Sequence, residues 1–286
     1  MAVPPDAPVA AAVIERRAPV VAPAAGRAGR LALGVAVTAI YVFLLAPVAI
    51  IVFSSFNPTE ANTFPPTGFS LRWYAKFLDS AGFVTAFRFS LWLAIVAAVA
   101  ATAIGFLTAH ALVRYWSRGR GVLQSLALLP MMVPHLLISI SLLLALMVVP
   151  VPELAALIVG HVLICLPFAI ACIVASLEGV DAQLELAAQT LGASRLRALW
   201  EVVIPLVAPG LLSALLFTFM VSFGDVYIAL FLSGPGRTTL PIEIFAYMQW
   251  ESTPVVAAIT SVQILLIVGL GLLIERLVGL RTIMRV

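Results

Sequence analysis

With 286 residues, 63% of them hydrophobic and 10% charged, the chain is too apolar for an ordinary soluble domain. A formal charge of +3, from 16 basic and 13 acidic residues with no basic block among them, gives no footing for nucleic acid. Apolar runs of about 20 residues suit a bilayer core of about 30 Å, and the alternating strands of about 10 residues that a barrel needs are missing. The expected class is therefore an all-α polytopic membrane protein, because helices and closed barrels alone satisfy their backbone groups in lipid.

Residues 1–30 are rich in Ala and Pro and lack a continuous apolar h-region, so they read as a disordered cytoplasmic tail and not as a cleaved signal. Six apolar segments follow, at about 31–53, 88–113, 122–149, 154–176, 207–233 and 255–277. Between the first two lies a long connection with NPTEANTFPPTG and then LRWYAKFL, an aromatic helix suited either to a headgroup region or to a packed cap. The small-residue run AIVAAVAATAIG at 94–105 suits close helix contact, within the chain or with a second subunit. In the third segment Pro130 and Pro134 predict a kink.

Cys165 and Cys172 share the fourth segment seven residues apart. Two helical turns separate them by about 10 Å of rise, too far for a disulfide. His110, His135 and His161 each lie near a span end or a proline, where helix packing accounts for them without a metal. In the fifth segment Asp225 lies about 24 Å along the helix. A carboxylate at that depth either lines a path for a cation or bonds neighbouring helices. Residues 234–254 begin with turn formers and carry an aromatic, amphipathic piece with Glu243 and Glu251. The last segment closes on Glu275 and Arg276, a snorkelling pair.

The basic residues divide by side. Arg16, Arg17, Arg27, Arg30, Arg114, Arg118, Arg120, Arg195, Arg197, Arg276, Arg281 and Arg285 fall on one side, and Arg72, Lys76, Arg88 and Arg237 on the other. That asymmetry predicts both termini, residues 281–286 included, in the cytoplasm. The connection 177–206 is then cytoplasmic too, inside a six-span membrane domain over 31–280.

That connection reads ELAAQTLGASRLRALWEVVIP from 185 to 205. Leu184, Ala187, Ala188 and Leu191 form one helical stripe, and Leu196, Leu199, Trp200 and Val203 form a second. Asp181 suits the first N-cap, Gly192 a left-handed helix end and Ser194 the next N-cap, while Pro205 marks the return to the membrane. Two short amphipathic helices with a sharp turn are expected. Their apolar face either folds back under the spans or offers a plug to a partner's groove.

The segment resembles the EAA loop of permease subunits of type I ATP-binding-cassette importers: Glu-Ala-Ala, three residues, Gly, nine residues, Ile-x-Leu-Pro. Ala187, Ala188, Gly192, Val202, Ile204 and Pro205 fall in register, whereas Leu186 stands at the motif's Glu, with Glu185 one residue earlier. LLPMMVPHLL (128–137), GHVLICLPFAI (160–170) and SFGDVYIALFLSGPGRTTLPIEIFAYM (222–248) are similar to the polyamine and opine branch. The resemblance implies a MetI-like fold of six transmembrane helices in a bacterial inner membrane. It implies an ATPase docked on Glu185, Ala187, Ala188, Gly192, Ala193, Ser194, Arg195 and Pro205, and a path for a small cation along His135, Ser222, Asp225 and Tyr227. The partners implied are two ATP-binding subunits that carry ATP and Mg, a second and different permease, and a soluble substrate-binding protein.

The chain itself has no G-x-x-x-x-G-K-[ST] phosphate cradle and no Ser-His-Asp, HExxH or CxxC pattern, so it is expected to be a transport subunit and not an enzyme. Putrescine or spermidine is the expected cargo, with opines, other amines or small anions as alternatives. A gradient-driven secondary transporter is the competing class, but its inverted repeats are not evident in the two halves.

Overall fold

The computed structural model describes residues 27–278 apart from 116, 117 and 235, so the expected tails at 1–26 and 279–286 lie outside the described residues. The chain divides into two compact units between residues 49 and 50. The described part of the first is most of one apolar helix, α1 (Arg27–Ser54), which begins within the stretch assigned to the N-terminal tail. The second unit is a helical bundle with its own core.

The centre of that bundle is α3 (Ala81–Arg114), α6 (Glu153–Glu178) and α9 (Ile204–Phe223), which make the most extensive mutual contacts. Small residues let them approach. Ala94, Ala97, Ala98 and Ala101 are buried, and a Cβ added at Gly105 would stand 2.7 Å from the Cβ of Ala169 on α6. The small-residue run therefore closes an intrachain crossing. Cys165 on α6 donates to the Thr218 carbonyl of α9 at 3.2 Å, and both cysteines are free thiols.

The third apolar segment breaks where the sequence predicts a kink. α4 (Arg120–Leu128) and one 3-10 turn (Leu129–Met131) end at Met132–Pro134, and α5 (His135–Val148) leaves at 91°. Pro134 has no N–H to give and pushes Val133 out of the helical region, so the turn cannot propagate. Among the described residues five helices are long and apolar enough to cross a membrane, or six if this bent pair is one span.

The fifth segment differs from a single span at both ends. Its helix starts at Arg195 rather than after Pro205: α8 (Arg195–Ala198) runs through a π turn (Leu199–Val203) straight into α9. Pro205 cannot donate to the carbonyl one turn back, and the wider π turn accommodates that loss without ending the helix. At the other end α9 stops at Phe223, and a short α10 (Tyr227–Leu232) follows after Gly224–Val226.

Opposite the arginine-rich end, α2 (Arg72–Asp79), α11 (Leu240–Met248) and the start of α12 (Val255–Val278) form a cap. The aromatics of α2 face protein, not headgroups: Trp73 and Phe77 are buried, and the Trp73 indole donates to the Asn57 carbonyl at 2.6 Å. The Leu240 N–H donates to Ser90 Oγ at 2.7 Å, pinning α11 to α3.

Candidate functional site

Two places carry the residues singled out by the sequence: the 181–205 connection and the break in the fifth span. In the connection, α7 (Ala182–Thr190) begins on Asp181, whose carboxylate accepts from the Gln183 N–H at 2.9 Å. It ends as the sequence predicts. Gly192 has φ +94°, its N–H donates to the Gln189 carbonyl, and the Ala193 N–H donates to the Ala188 carbonyl, both at 3.0 Å. That is a Schellman closure, which favours glycine at this position. Ser194 then accepts from the Arg197 N–H at 3.2 Å and caps α8.

The apolar residues of this connection divide: Leu199 and Val203 of the second stripe join the core of the bundle, and most of the others turn outward. Leu184, Leu186, Leu191, Leu196 and Trp200 are all exposed, Leu191 at 89%. What faces inward on α7 is Glu185, with Ala188 and Gln189 half-buried beside it. Its carboxylate lies 3.5 Å from His110 Nε2 and 3.8 Å from Arg114 Nε on α3. Arg114 also donates to the Val180 carbonyl at 3.0 Å. Neither His110 nor Arg114 was read from the sequence as part of this site. The available signal was their i, i+4 spacing at the end of a span, which puts both on one helix face. A cavity of about 160 Å³ opens beside them, lined by Arg114, Tyr115, Glu185, Leu186, Gln189 and Arg195. Pro205 is exposed at the second position of α9, two residues beyond the π turn.

At the break in the fifth span, Asp225 is buried, with its side chain 1% exposed. Its Oδ2 accepts from the Ile228 N–H at 2.7 Å and so caps α10, a role its position before a helix start explains. Oδ1 has no hydrogen-bond partner and faces His135 Nδ1 at 3.4 Å. His135 is the first residue of α5, so the two broken segments meet at this pair. Ser222 does not join them directly: its hydroxyl pairs with His161 Nδ1 at 2.9 Å, and His161 is fully buried. Tyr227, by contrast, is exposed at 46%. Thus the structure brings His135 and Asp225 together, sets Ser222 on His161 one turn below, and leaves Tyr227 on the surface. The three histidines have three separate partners: Glu185, Asp225 and Ser222.

Residues 101–280 match the family model described as "Binding-protein-dependent transport system inner membrane component". The spermidine/putrescine transport system permease protein PotC of Escherichia coli (strain K12) is 33% identical over 239 residues, covering 83% of this chain and 90% of that protein. The putrescine transport system permease protein PotI of the same organism is 32% identical, covering 77% and 81%. Among solved structures, a bacterial ABC transporter that imports the acidic polysaccharide alginate matches with TM-score 0.66 at 18% identity, over 89% of this chain and 99% of that one. An amino acid ABC transporter matches with TM-score 0.55 at 18% identity, over 74% and 98%; both structures speak to fold alone. A helical bundle with several membrane-length spans, an EAA-like connection and a family match over most of the spans agree. The chain belongs to the binding-protein-dependent transport system inner membrane components, the permease subunits of ABC importers.

Proposed function

We propose that this permease imports a polyamine and takes its energy from an ATPase that docks on the 181–205 connection. The observation that carries the docking is the outward part of the connection's apolar surface: Leu184, Leu186, Leu191, Leu196 and Trp200 remain exposed, while Leu199 and Val203 join the core of the bundle. A helix pair that leaves its apolar face open suits a groove on a partner. The arginine bias supports a cytoplasmic position for this connection and for both termini. ATP and Mg then bind to two copies of the ATPase, and a second, different permease completes the path. A soluble binding protein delivers the cargo to the opposite, capped end.

The cargo reading rests on Asp225. A buried carboxylate whose Oδ1 has no hydrogen-bond partner and faces His135 alone, placed where two helices break, suits an ammonium group. The similarity to a spermidine/putrescine permease and a putrescine permease supports the same cargo class.

The test is a mild-detergent pull-down of the tagged chain from its native membrane, with and without Leu191→Asp. Recovery of an ATPase and a second permease with the wild type, and loss of the ATPase alone with the variant, is expected. A chain that comes out alone and still imports spermidine on an ion gradient would overturn the proposal.

A further inference from the structure

Glu185 is set apart from the rest of α7 by direction. Its neighbour Leu186, at the acidic position of the motif, is exposed, while Glu185 itself is 7% exposed and turned towards α3. There its carboxylate meets His110 and Arg114, whose side chains are 12% and 10% exposed. Arg114 holds a second element as well, through the Val180 carbonyl in the turn between α6 and α7. The end of α3, the end of α6 and the start of α7 therefore converge on one carboxylate and one guanidinium.

The contacts are those of an ion pair and not of a closed hydrogen-bond network. His110 Nε2 and Arg114 Nε have no hydrogen-bond partner, although both approach the same oxygen, Glu185 Oε2. Beside them is the cavity lined by Tyr115, Gln189 and Arg195. The cluster thus has room to tighten when α7 is pressed inward. Removing either charge leaves the other buried without its partner, so the connection between α7 and α3 depends on both.

We propose that Glu185 is the positioning residue that carries displacement of α7 to α3 through Arg114 and His110, and that it is not a contact to the ATPase. This deepens the docking reading above and rests on it. Docking and transmission are then separate: the exposed stripe holds the ATPase, and the buried pair passes its movement to a central span.

The experiment uses the complete transporter in proteoliposomes with its binding protein and labelled spermidine as probe cargo. Three quantities are read: ATPase retained in the complex, spermidine imported per ATP hydrolysed, and ATP-dependent maleimide labelling of Arg118→Cys, just beyond α3. Glu185→Gln should keep the ATPase while import per ATP falls about fivefold or more, the lower range of an ordinary coupling energy. The ATP-dependent change in labelling should be lost with it, and Glu185→Asp should restore part of both. Retention of wild-type coupling in Glu185→Gln would overturn the proposal. Loss of the ATPase from that variant would also overturn it, since Glu185 would then belong to the docking face. Arg114→Gln, on α3 and outside the connection, decides the question if Glu185→Gln fails to accumulate. If Leu191→Asp keeps its ATPase, the docking reading fails on its own. If wild type does not import spermidine, the cargo reading fails, and the labelling still reports on Glu185.

Discussion

Asp225 Oδ1 stands 3.4 Å from His135 Nδ1, and each residue sits where a membrane segment breaks. Asp225 follows the end of α9, and His135 begins α5 after the 91° bend. The same carboxylate has two jobs on its two oxygens under the proposed function: Oδ2 caps α10, and Oδ1, without a hydrogen-bond partner, would meet the cation.

Those jobs separate by substitution. Asparagine is as good a cap as aspartate, whereas alanine costs about 1 kcal/mol in that role. Asp225→Asn should therefore leave the thermal unfolding of the purified permease unchanged and reduce spermidine uptake about tenfold or more, the loss of one charge-assisted contact. Asp225→Ala should lower both. Unchanged uptake by a well-expressed Asp225→Asn chain would remove Asp225 from the cargo path.

Gly192 holds φ +94° at the Schellman turn, where a Cβ would meet no neighbouring atom. The cost of Gly192→Ala is then conformational alone, about 1–2 kcal/mol. Fraying of the turn should weaken recovery of the ATPase in a pull-down while the spans keep their melting temperature. An equal fall in both would place the defect in the bundle.

At the α3–α6 crossing the outcome is reversed. A Cβ on Gly105 meets the Ala169 Cβ at 2.7 Å and the Ala169 backbone at 3.4 Å. Gly105→Ala should destabilise the bundle by about 1–3 kcal/mol through overpacking, read as a lower melting temperature in detergent. Ala169→Gly should recover part of the loss in the double variant, and no recovery would argue against this crossing.

On the capped end, the Tyr247 hydroxyl donates to Glu251, and Lys76 lies 3.6 Å away. Together they hold the Glu251 carboxyl below its usual 4.5, the Tyr247 hydrogen bond first. A lowered acid stabilises the folded cap fully above the unfolded value and loses that contribution as pH falls through the folded one. Trp250, exposed at 90% in the adjoining turn, should report the loosening by fluorescence only below pH 4.5. Glu251→Gln should abolish that acid-range change, and a change of equal size in the variant would assign it elsewhere.

The legible parts of this chain were those fixed locally. Gly192, Ser194 and Asp181 act on backbone groups within three or four residues, so their types and spacing announce the turn and both caps. Long apolar runs likewise announce spans, because a bilayer leaves few other options. Breaks were harder to see. Pro130 and Pro134 signalled a kink, but the 91° angle depends on where α5 packs against α10 and α6. Hydropathy passes over Gly224–Val226 without a sign, since an isolated aspartate there is compatible with a continuous helix. The inward turn of Glu185 was likewise out of reach. It depends on Arg114 and His110, about 70 residues earlier, reaching the same end of the bundle. Pro205 misled in the opposite sense, because a π turn takes up what a lost N–H would otherwise end.

Under the proposed docking, the continuous helix from Arg195 to Phe223 would serve as a connecting rod. Its 29 residues span about 44 Å from the Ser194 turn to Gly224, with the helix carried through the π turn at Leu199–Val203 and past Pro209. A thrust delivered at the first end would then pass along this one helix to the second, where the helix ends. The residue waiting there is Asp225. If both proposals hold, the carboxylate for the cargo and the load would meet at the same three residues of chain, Gly224 to Val226.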